Sequence, residues 1–203
     1  IIDIKGEMDM TDKNVSIMNI GSMGYLPQVF KKIENEKKLN IVYLGGSITM
    51  GCNATRTELR YVDRSAKWWQ TNFPEAEISY FNAGIGATTS QFGVARVQEH
   101  VLDKQPDLVF VEFSVNDSSS PLFMETYESL VRRLLKAESV KAVVLINNLF
   151  YDTGTNAQGI HNAIGLHYDL PIVSVRNYIF PEIQLGNGCL ADYTADMLHP
   201  TDL

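Results

Sequence analysis

Three side chains, one in the first part of the chain and two close to its end, have the chemistry of an acyl-transfer site. Ser47 follows the apolar run of residues 41–44 and two glycines. A serine on a tight turn after a buried strand is presented as a nucleophile at the edge of a sheet. Its hydroxyl is too weakly acidic to attack an ester unaided and needs a base, normally a histidine that a carboxylate holds. The late segment Asp196-Met-Leu-His199-Pro contains both types. We therefore predict Ser47 as the nucleophile, His199 as the base and Asp196 as its carboxylate partner.

Two segments between these residues can supply donors for an oxyanion, the charged oxygen of a tetrahedral intermediate. One is the glycine-containing run Asn-Ala-Gly-Ile-Gly-Ala-Thr of residues 82–88, and the other is Ser-Val-Asn-Asp, which contains Asn116. We predict that backbone N–H groups of Ser47 and of the glycine run act together with the side-chain NH₂ of Asn116. Asp117 is predicted to be a structural partner of its loop.

Each of these residues also has an ordinary structural alternative. Ser47 could cap the helix that follows it or belong to a phosphate-binding loop, although the lysine of a Walker-type loop is absent. His199 could be a surface histidine, and Asn116 could close an Asx turn. Asp192 is a second carboxylate that could take the place of Asp196. The presence of all the partner types in one chain favours the catalytic interpretation.

The order of these segments resembles that of the SGNH hydrolases, the GDSL-type esterases and acylhydrolases, which are named for a serine, a glycine, an asparagine and a histidine. The four correspond here to Ser47, Gly86, Asn116 and His199, and the resemblance extends over residues 39–200. It implies that Gly86, the second glycine of its run, is the oxyanion donor and that Gly84 is a turn glycine. It also implies that no metal or organic cofactor takes part.

The chain departs from the family pattern at two positions. The first block usually reads Gly-Asp-Ser, and Gly46 replaces the aspartate here. The third block usually reads Gly-x-Asn-Asp, and Ser114 replaces the glycine. Neither change removes a reacting group, so the departures concern the shape of the two loops and the subfamily.

The composition limits the possible partners. The chain has 203 residues, a formal net charge of −7 and a pI of about 5.1. This acidic balance argues against nucleic acid and anionic membranes, which call for a basic face. No apolar run approaches the ~20 residues of a membrane span. No signal peptide is recognisable, but the chain begins at Ile1 and not at Met, so the cellular location stays open.

Neither a cofactor nor a metal ion is predicted from the remaining residue patterns. Residues 82–88 superficially resemble a dinucleotide fingerprint, but Thr89 stands where the third glycine belongs. His100, His161 and His167 lack metal-ligand spacing with cysteines or carboxylates, and we interpret them as helix or surface histidines.

The chain contains two cysteines, Cys52 and Cys189. Two are too few for a disulfide framework, so we predict free thiols. The family resemblance places both near the serine's end of the sheet, where a bridge is conceivable.

Apolar runs alternate with amphipathic segments, which is the pattern of an α/β fold with a parallel sheet. The predicted strands are residues 41–45, 77–82, 108–113, 141–147 and 172–175. The predicted helices are residues 25–37, 60–73, 90–104, 121–137 and 157–168, with a short helix within 175–185 that Pro181 interrupts. This order predicts a three-layer α/β/α flavodoxin-like sandwich with a five-stranded parallel sheet of order 2-1-3-4-5.

Such a sheet would bring the candidate residues together. Ligands of open α/β sheets bind beyond the carboxyl ends of the strands. Ser47, Gly86 and Asn116 follow the first, second and third predicted strands, and we therefore expect them at one edge.

We predict a single domain over residues 1–203, with residues 1–38 as an N-terminal extension packed on it. Residues 1–20 could pack as an extended segment on the sheet or against a missing neighbour. Family members usually continue into a further helix after the histidine, so the resemblance suggests a trimmed C-terminus.

These features together predict a serine ester hydrolase that acts on short-chain acyl esters of small molecules or carbohydrates. The Gly-Gly-Ser-Ile-Thr segment is similar to SGNH members that remove acetyl groups from sugars, and no long apolar segment suggests a lipid-binding lid. Two alternatives remain open: a transacylase that uses the same site, and a catalytically silent carbohydrate-binding module. The sequence leaves the natural acyl group, the alcohol and the oligomeric state open.

Overall fold

The computed structural model describes residues 15–22 and 25–202. The strands are β1 (Ile17–Asn19), β2 (Lys38–Gly45), β3 (Glu77–Gly84), β4 (Leu108–Glu112), β5 (Ala142–Asn147) and β6 (Ile172–Ser174). The helices are α1 (Leu26–Glu36), α2 (Ser47–Met50), α3 (Tyr61–Asn72), α4 (Ser90–His100), α5 (Pro121–Leu135), α6 (Gln158–His167), α7 (Val175–Leu185) and α8 (Leu190–Tyr193). Short 3₁₀ turns lie at Thr57–Leu59 and Leu102–Lys104.

The strands form one sheet in the order β1-β6-β5-β4-β2-β3. The run from β3 to β6 is parallel throughout, and it confirms the predicted 2-1-3-4-5 order of the five parallel strands. The prediction of a purely parallel, five-stranded sheet is wrong at one edge, where β1 pairs antiparallel with β6. β1 has only three residues, too short for a recognisable alternating pattern. Part of the predicted extended segment thus joins the sheet, and residues 1–14 lie outside the described part of the chain.

Two helices differ from their predicted course for local reasons. α4 ends at His100, four residues early, because the chain turns into a 3₁₀ segment that closes at Gln105 in the left-handed region. α7 runs through Pro181 as one helix instead of being interrupted there. Both differences concern segments outside the predicted site.

The sheet has helices on both faces, which confirms the three-layer sandwich. Successive strand residues point to opposite faces. Val42 and Leu44 of β2 belong to the core formed with α4, α5 and α6, whereas Ile41 and Tyr43 belong to the core formed with α1 and α3. All four are completely buried.

The strand register aligns the ends of the three strands that precede the predicted site. Gly45 at the end of β2 pairs with Gly84 of β3 on one side and with Glu112 of β4 on the other. The loops that follow these residues therefore leave the sheet side by side. In the described residues no helix is long and apolar enough to cross a membrane.

Candidate active site

Ser47 begins α2 directly at the end of β2, on the turn that the sequence predicted. The residue is 7% exposed, and its side chain faces the C-terminal segment of the chain. Its own N–H lies in the first turn of a helix, where backbone donors have no partner within the helix. The strand-to-helix turn thus presents a hydroxyl and a backbone donor at the same place.

The structure brings Ser47, His199 and Asp196 into one hydrogen-bonded series. His199 Nε2 lies 2.8 Å from Ser47 Oγ, and His199 Nδ1 lies 2.7 Å from Asp196 Oδ2. A carboxylate can only accept, so the Nδ1 proton is donated to Asp196. Nε2 of the neutral ring is then free to accept the Ser47 hydroxyl proton. This geometry can activate a serine for attack on an acyl group.

The ionisation of Asp196 supports that assignment of protons. Partial burial raises the pKa of this carboxyl, but the hydrogen bonds from the His199 side chain and from the His199 and Leu198 backbone outweigh it. The net effect places the pKa of Asp196 well below its ordinary value. The group is therefore a carboxylate at neutral pH.

The segment that carries Asp196 and His199 is fixed by its own backbone. Asp196 Oδ1 accepts from the N–H groups of His199 and Leu198, at 2.8 Å and 3.1 Å. Thr194 Oγ1 donates to the His199 carbonyl at 2.8 Å, and Met197 takes a positive φ of 67° to close the turn. The three-residue spacing that the sequence showed is thus the spacing of a closed Asx-type turn.

A second set of contacts ties this segment to the loop that follows the nucleophile. The Asp202 carboxylate accepts from the backbone N–H of Thr55 at 2.9 Å and from its hydroxyl at 2.6 Å. Arg64 donates to the Asp202 carbonyl. This link could not be predicted from residue patterns, because its two ends are 147 residues apart.

Gly84 and Gly86 have different surroundings. A Cβ at Gly84 would overlap the backbone of Met50, so a glycine is needed for α2 to pack on the end of β3. A Cβ at Gly86 would lie 3.9 Å from the Ser47 Cβ and 3.4 Å from the Met50 side chain. Gly86 is therefore the glycine of this run whose Cα faces the Ser47 side chain, and Gly84 is the packing glycine.

Asn116 lies against the turn that precedes the nucleophile. Its backbone N–H closes a turn onto the Phe113 carbonyl at 3.0 Å, and a Cβ at Gly46 would overlap its side-chain Oδ1. The side chain thus occupies the space that a side chain at position 46 would need.

Gly46→Ala is expected to lower turnover by about 10- to 100-fold, because the added methyl pushes Asn116 away from its position beside Ser47. The φ of Gly46 is −89°, so this position does not require the left-handed conformation that favours glycine. Gly159→Ala is the matched control, since nothing lies within 4 Å of a Cβ there. Steady-state kinetics on an activated ester measures both, and unchanged turnover in Gly46→Ala would refute the contact.

Ser114, the second departure from the family pattern, links two loops at this edge of the sheet. Its hydroxyl accepts from the Asn148 N–H at 2.7 Å and lies 3.3 Å from the Asn148 carbonyl, which follows β5. A glycine at position 114 could make neither contact. The substitution therefore exchanges backbone freedom for a buried hydrogen-bonded link.

Glu112 is a buried residue of this region that the sequence interpretation missed. It ends β4, is completely buried, and accepts a 3.4 Å hydrogen bond from Thr49 in the nucleophile's helix. Burial raises the pKa of Glu112 to about 7 against the hydrogen bonds from Asn148 and Thr49. The sequence contained one signal for Glu112: a carboxylate at the end of a strand that is buried on both faces.

Asp192 and the cysteines lie outside the hydrogen-bonded series. Asp192 Oδ2 accepts from the Cys189 backbone N–H at 3.2 Å and caps α8. Asp192 therefore stabilises the start of that short helix, and Asp196 is the carboxylate that binds the His199 ring. Cys52 and Cys189 are free thiols. Within residues 15–22 and 25–202, no group of three or more His, Cys, Asp or Glu side chains could hold a metal ion.

A cavity of about 390 Å³ lies beside the site on the α1 and α3 face of the sheet. Its lining is mostly apolar and includes Phe110, Val144, Ile146, Val173 and Ile179. Ile48 and Pro200, which follow Ser47 and His199 in the chain, also line it, but Ser47 and His199 do not. The cavity therefore adjoins the site without containing its reacting atoms.

The family model of the GDSL-like lipases/acylhydrolases matches residues 43–203. This range includes all the predicted site residues: Ser47, Gly86, Asn116, Asp196 and His199. No curated protein matches the chain significantly.

Several solved structures are similar to this one. A two-domain esterase (CEX) active on acetylated mannans shares 46% sequence identity with a TM-score of 0.91. The match covers 93% of this chain and 51% of that one, so the chain spans about half the length of that esterase. A catalytic mutant of Axe2, an acetylxylan esterase from Geobacillus stearothermophilus, is 18% identical with a TM-score of 0.67, covering 81% of this chain and 87% of that one. LAE5, an alpha/beta hydrolase enzyme from the metagenome of Lake Arreo, Spain, is 21% identical with a TM-score of 0.66, covering 80% and 87%. The last two show a shared fold.

Proposed function

The chain belongs to the GDSL-like lipase/acylhydrolase family, and from this premise we propose that it is a serine ester hydrolase that removes acetyl groups from a mannan-type polysaccharide. The observation that carries the proposal is the unbroken series from Ser47 Oγ through the His199 imidazole to the Asp196 carboxylate, with distances of 2.8 Å and 2.7 Å. These are hydrogen-bonding distances for a nucleophile and its base.

In the proposed acylation step, Ser47 Oγ attacks the ester carbonyl carbon while its proton passes to His199 Nε2. Asp196 stabilises the imidazolium that forms and does not itself take the proton. The carbonyl oxygen becomes an oxyanion, which the backbone N–H groups of Ser47 and Gly86 and the Asn116 side-chain NH₂ would bind. The ester bond then breaks, and the sugar hydroxyl leaves with the proton from His199.

Deacylation repeats these steps with water as the nucleophile. His199 takes a proton from water, which attacks the acetyl-serine, and Ser47 leaves with the proton returned to it. Each oxyanion donor typically contributes about 10²–10³ in rate, so the three donors account for a large part of the acceleration. All these steps use groups of the protein and water.

Two observations support the substrate class. The two-domain esterase that shares 46% identity with this chain is active on acetylated mannans. The apolar cavity lies beside the site, and neither Ser47 nor His199 lines it. A small acyl group on a polar, exposed alcohol fits this arrangement.

The test compares p-nitrophenyl acetate, butyrate and octanoate, together with acetate release from acetylated mannan. We expect kcat/KM to fall as the acyl chain lengthens, because neither Ser47 nor His199 lines the apolar cavity. Acetate release from mannan should disappear in the Ser47→Ala variant. Faster octanoate hydrolysis would overturn the short-chain assignment and assign the apolar cavity to the acyl chain.

Two further measurements separate the alternatives. Covalent labelling of Ser47 by a fluorophosphonate is expected for a serine hydrolase, whereas a silent binding module would bind mannan without being labelled. Acetyl transfer to an added oligosaccharide in preference to water would identify a transacylase. Mannan binding without labelling, or acetyl transfer in preference to hydrolysis, would contradict the hydrolase proposal.

A further inference from the structure

A buried ionisable pair lies behind the site. Asp117 Oδ2 is 3.1 Å from His161 Nε2, and both side chains are completely buried. His161 is in α6 as the sequence indicated, but it is not on the surface. Burying a carboxylate is costly unless it is paired and hydrogen-bonded, so the position of this pair calls for a reason.

Asp117 connects the two loops that carry the oxyanion donors. It follows Asn116 directly, and the backbone N–H groups of both residues close turns onto the Phe113 carbonyl at 3.0 Å. Its other oxygen, Oδ1, accepts from the backbone N–H of Ser90 at 2.9 Å. Ser90 begins α4 at the end of the loop that contains Gly86. One carboxylate therefore spans both loops.

His161 is held so that it can fix the second oxygen of this carboxylate. The Tyr127 ring stacks on the imidazole with centroids 3.6 Å apart and an interplanar angle of 7°. Burial lowers the pKa of His161 against the opposing effect of Asp117. The neutral ring then carries its proton on Nε2 and donates it to Asp117.

We propose that Asp117 and His161 form a positioning pair that sets the distance between Gly86 and Asn116 across the oxyanion site. Neither residue touches the substrate. The pair acts through the Ser90 N–H on one loop and through the peptide bond to Asn116 on the other. This inference rests on the proposed hydrolase function and names the residues that align its donors.

The expected effect of losing the pair follows from the steep dependence of the rate on the position of the oxyanion donors. An oxyanion donor works at 2.7–3.1 Å from the developing charge, and a displacement of about 1 Å can cost about 100-fold in rate. The donors bind the tetrahedral state more strongly than the ground state. Loss of the pair should therefore lower kcat and leave KM nearly unchanged.

The first experiment compares His161→Leu with His161→Gln. Leucine removes the donor to Asp117, and we expect kcat per active site to fall about 10- to 100-fold. Glutamine places a donor near the position of Nε2 and should restore most of that loss. His167→Leu is the matched control, because His167 is an exposed histidine of the same helix and takes no part in the contacts with Asp117. It should leave turnover unchanged.

A second pair of variants guards against misfolding of His161→Leu. Ser90→Pro removes the N–H that Asp117 accepts, and proline is favoured at the first position of a helix. Thr89 before it is extended, as a residue preceding proline should be. Ser90→Ala keeps the N–H and loses the hydroxyl contact with Thr126. We expect Ser90→Pro to lose at least about tenfold in kcat and Ser90→Ala to stay near the wild type.

Active-site titration with a fluorophosphonate separates positioning from a merely structural role. A structural role would reduce the fraction of labelled protein while each labelled molecule turns over normally. Positioning would leave the labelled fraction intact and slow both turnover and labelling. Equal kcat per labelled site in His161→Leu, His161→Gln and the wild type would overturn the proposal. An inactive wild type would instead refute the proposed function.

Discussion

Ser47→Ala is expected to lose about 10⁶-fold in kcat for ester hydrolysis, and His199→Ala about as much. In the proposed mechanism Ser47 Oγ forms the acyl bond, and His199 Nε2, which lies 2.8 Å from it, takes its proton. Because the two groups act as a unit, the double variant should be no slower than either single variant. Residual catalysis would come from the oxyanion donors and from substrate binding, which these changes leave in place.

Initial rates of p-nitrophenyl acetate hydrolysis and of acetate release from mannan measure this effect. Ser119→Ala is a suitable control, since Ser119 is an exposed serine of the loop after Asn116. Turnover close to that of the wild type in Ser47→Ala would assign the nucleophile elsewhere. Losses that multiply in the double variant would show that the two side chains act in separate steps.

The sequence predicted this site because Ser47, Gly86 and Asn116 each follow a recognisable strand. The apolar run before Ser47 and the run before Asn116 are buried on both faces, so their ends are sharp. The parallel order of the strands then brings the loops to one edge without further information. The spacing of Asp196 and His199 is local, which is why a turn could be anticipated.

The contacts that fix the site were not predictable in the same way. Asp117 meets His161 across 44 residues, and Thr55 meets Asp202 across 147. No periodic pattern in the sequence indicates such pairs. Each of these side chains, taken alone, is more often an ordinary surface or turn residue. A histidine in an amphipathic helix is normally at the surface, and His161 became informative only when α6 was seen to bury it against Asp117.

The edge strand β1 was not predicted from the sequence, for a related reason. Its residues Ile17 and Met18 are substantially exposed, so no alternation of buried and exposed positions marks them as a strand. The pairing with β6 depends on backbone hydrogen bonds at a free sheet edge, which residue types encode weakly. The central sheet needs no such information, because its strands are apolar on both faces.

Asp196→Asn is expected to lower kcat by about 10⁴-fold while leaving the fold of the segment intact. The backbone N–H groups of His199 and Leu198 both donate to Oδ1, so an asparagine must keep its oxygen there. Its NH₂ group then replaces Oδ2 and faces His199 Nδ1. A donor at that place forces Nδ1 to accept, and the ring proton moves to Nε2. The ring then has no lone pair for the Ser47 proton.

Asp192→Asn tests the competing carboxylate with the same chemical change. Asp192 accepts from the Cys189 N–H at the start of α8, so its loss should affect that helix and not turnover. Steady-state kinetics together with thermal unfolding of both variants distinguishes the two residues. A large loss of kcat in Asp192→Asn with near-normal turnover in Asp196→Asn would reverse the assignment. The opposite result would show that the orientation of one amide, fixed by two backbone donors, decides which nitrogen of His199 can act as the base.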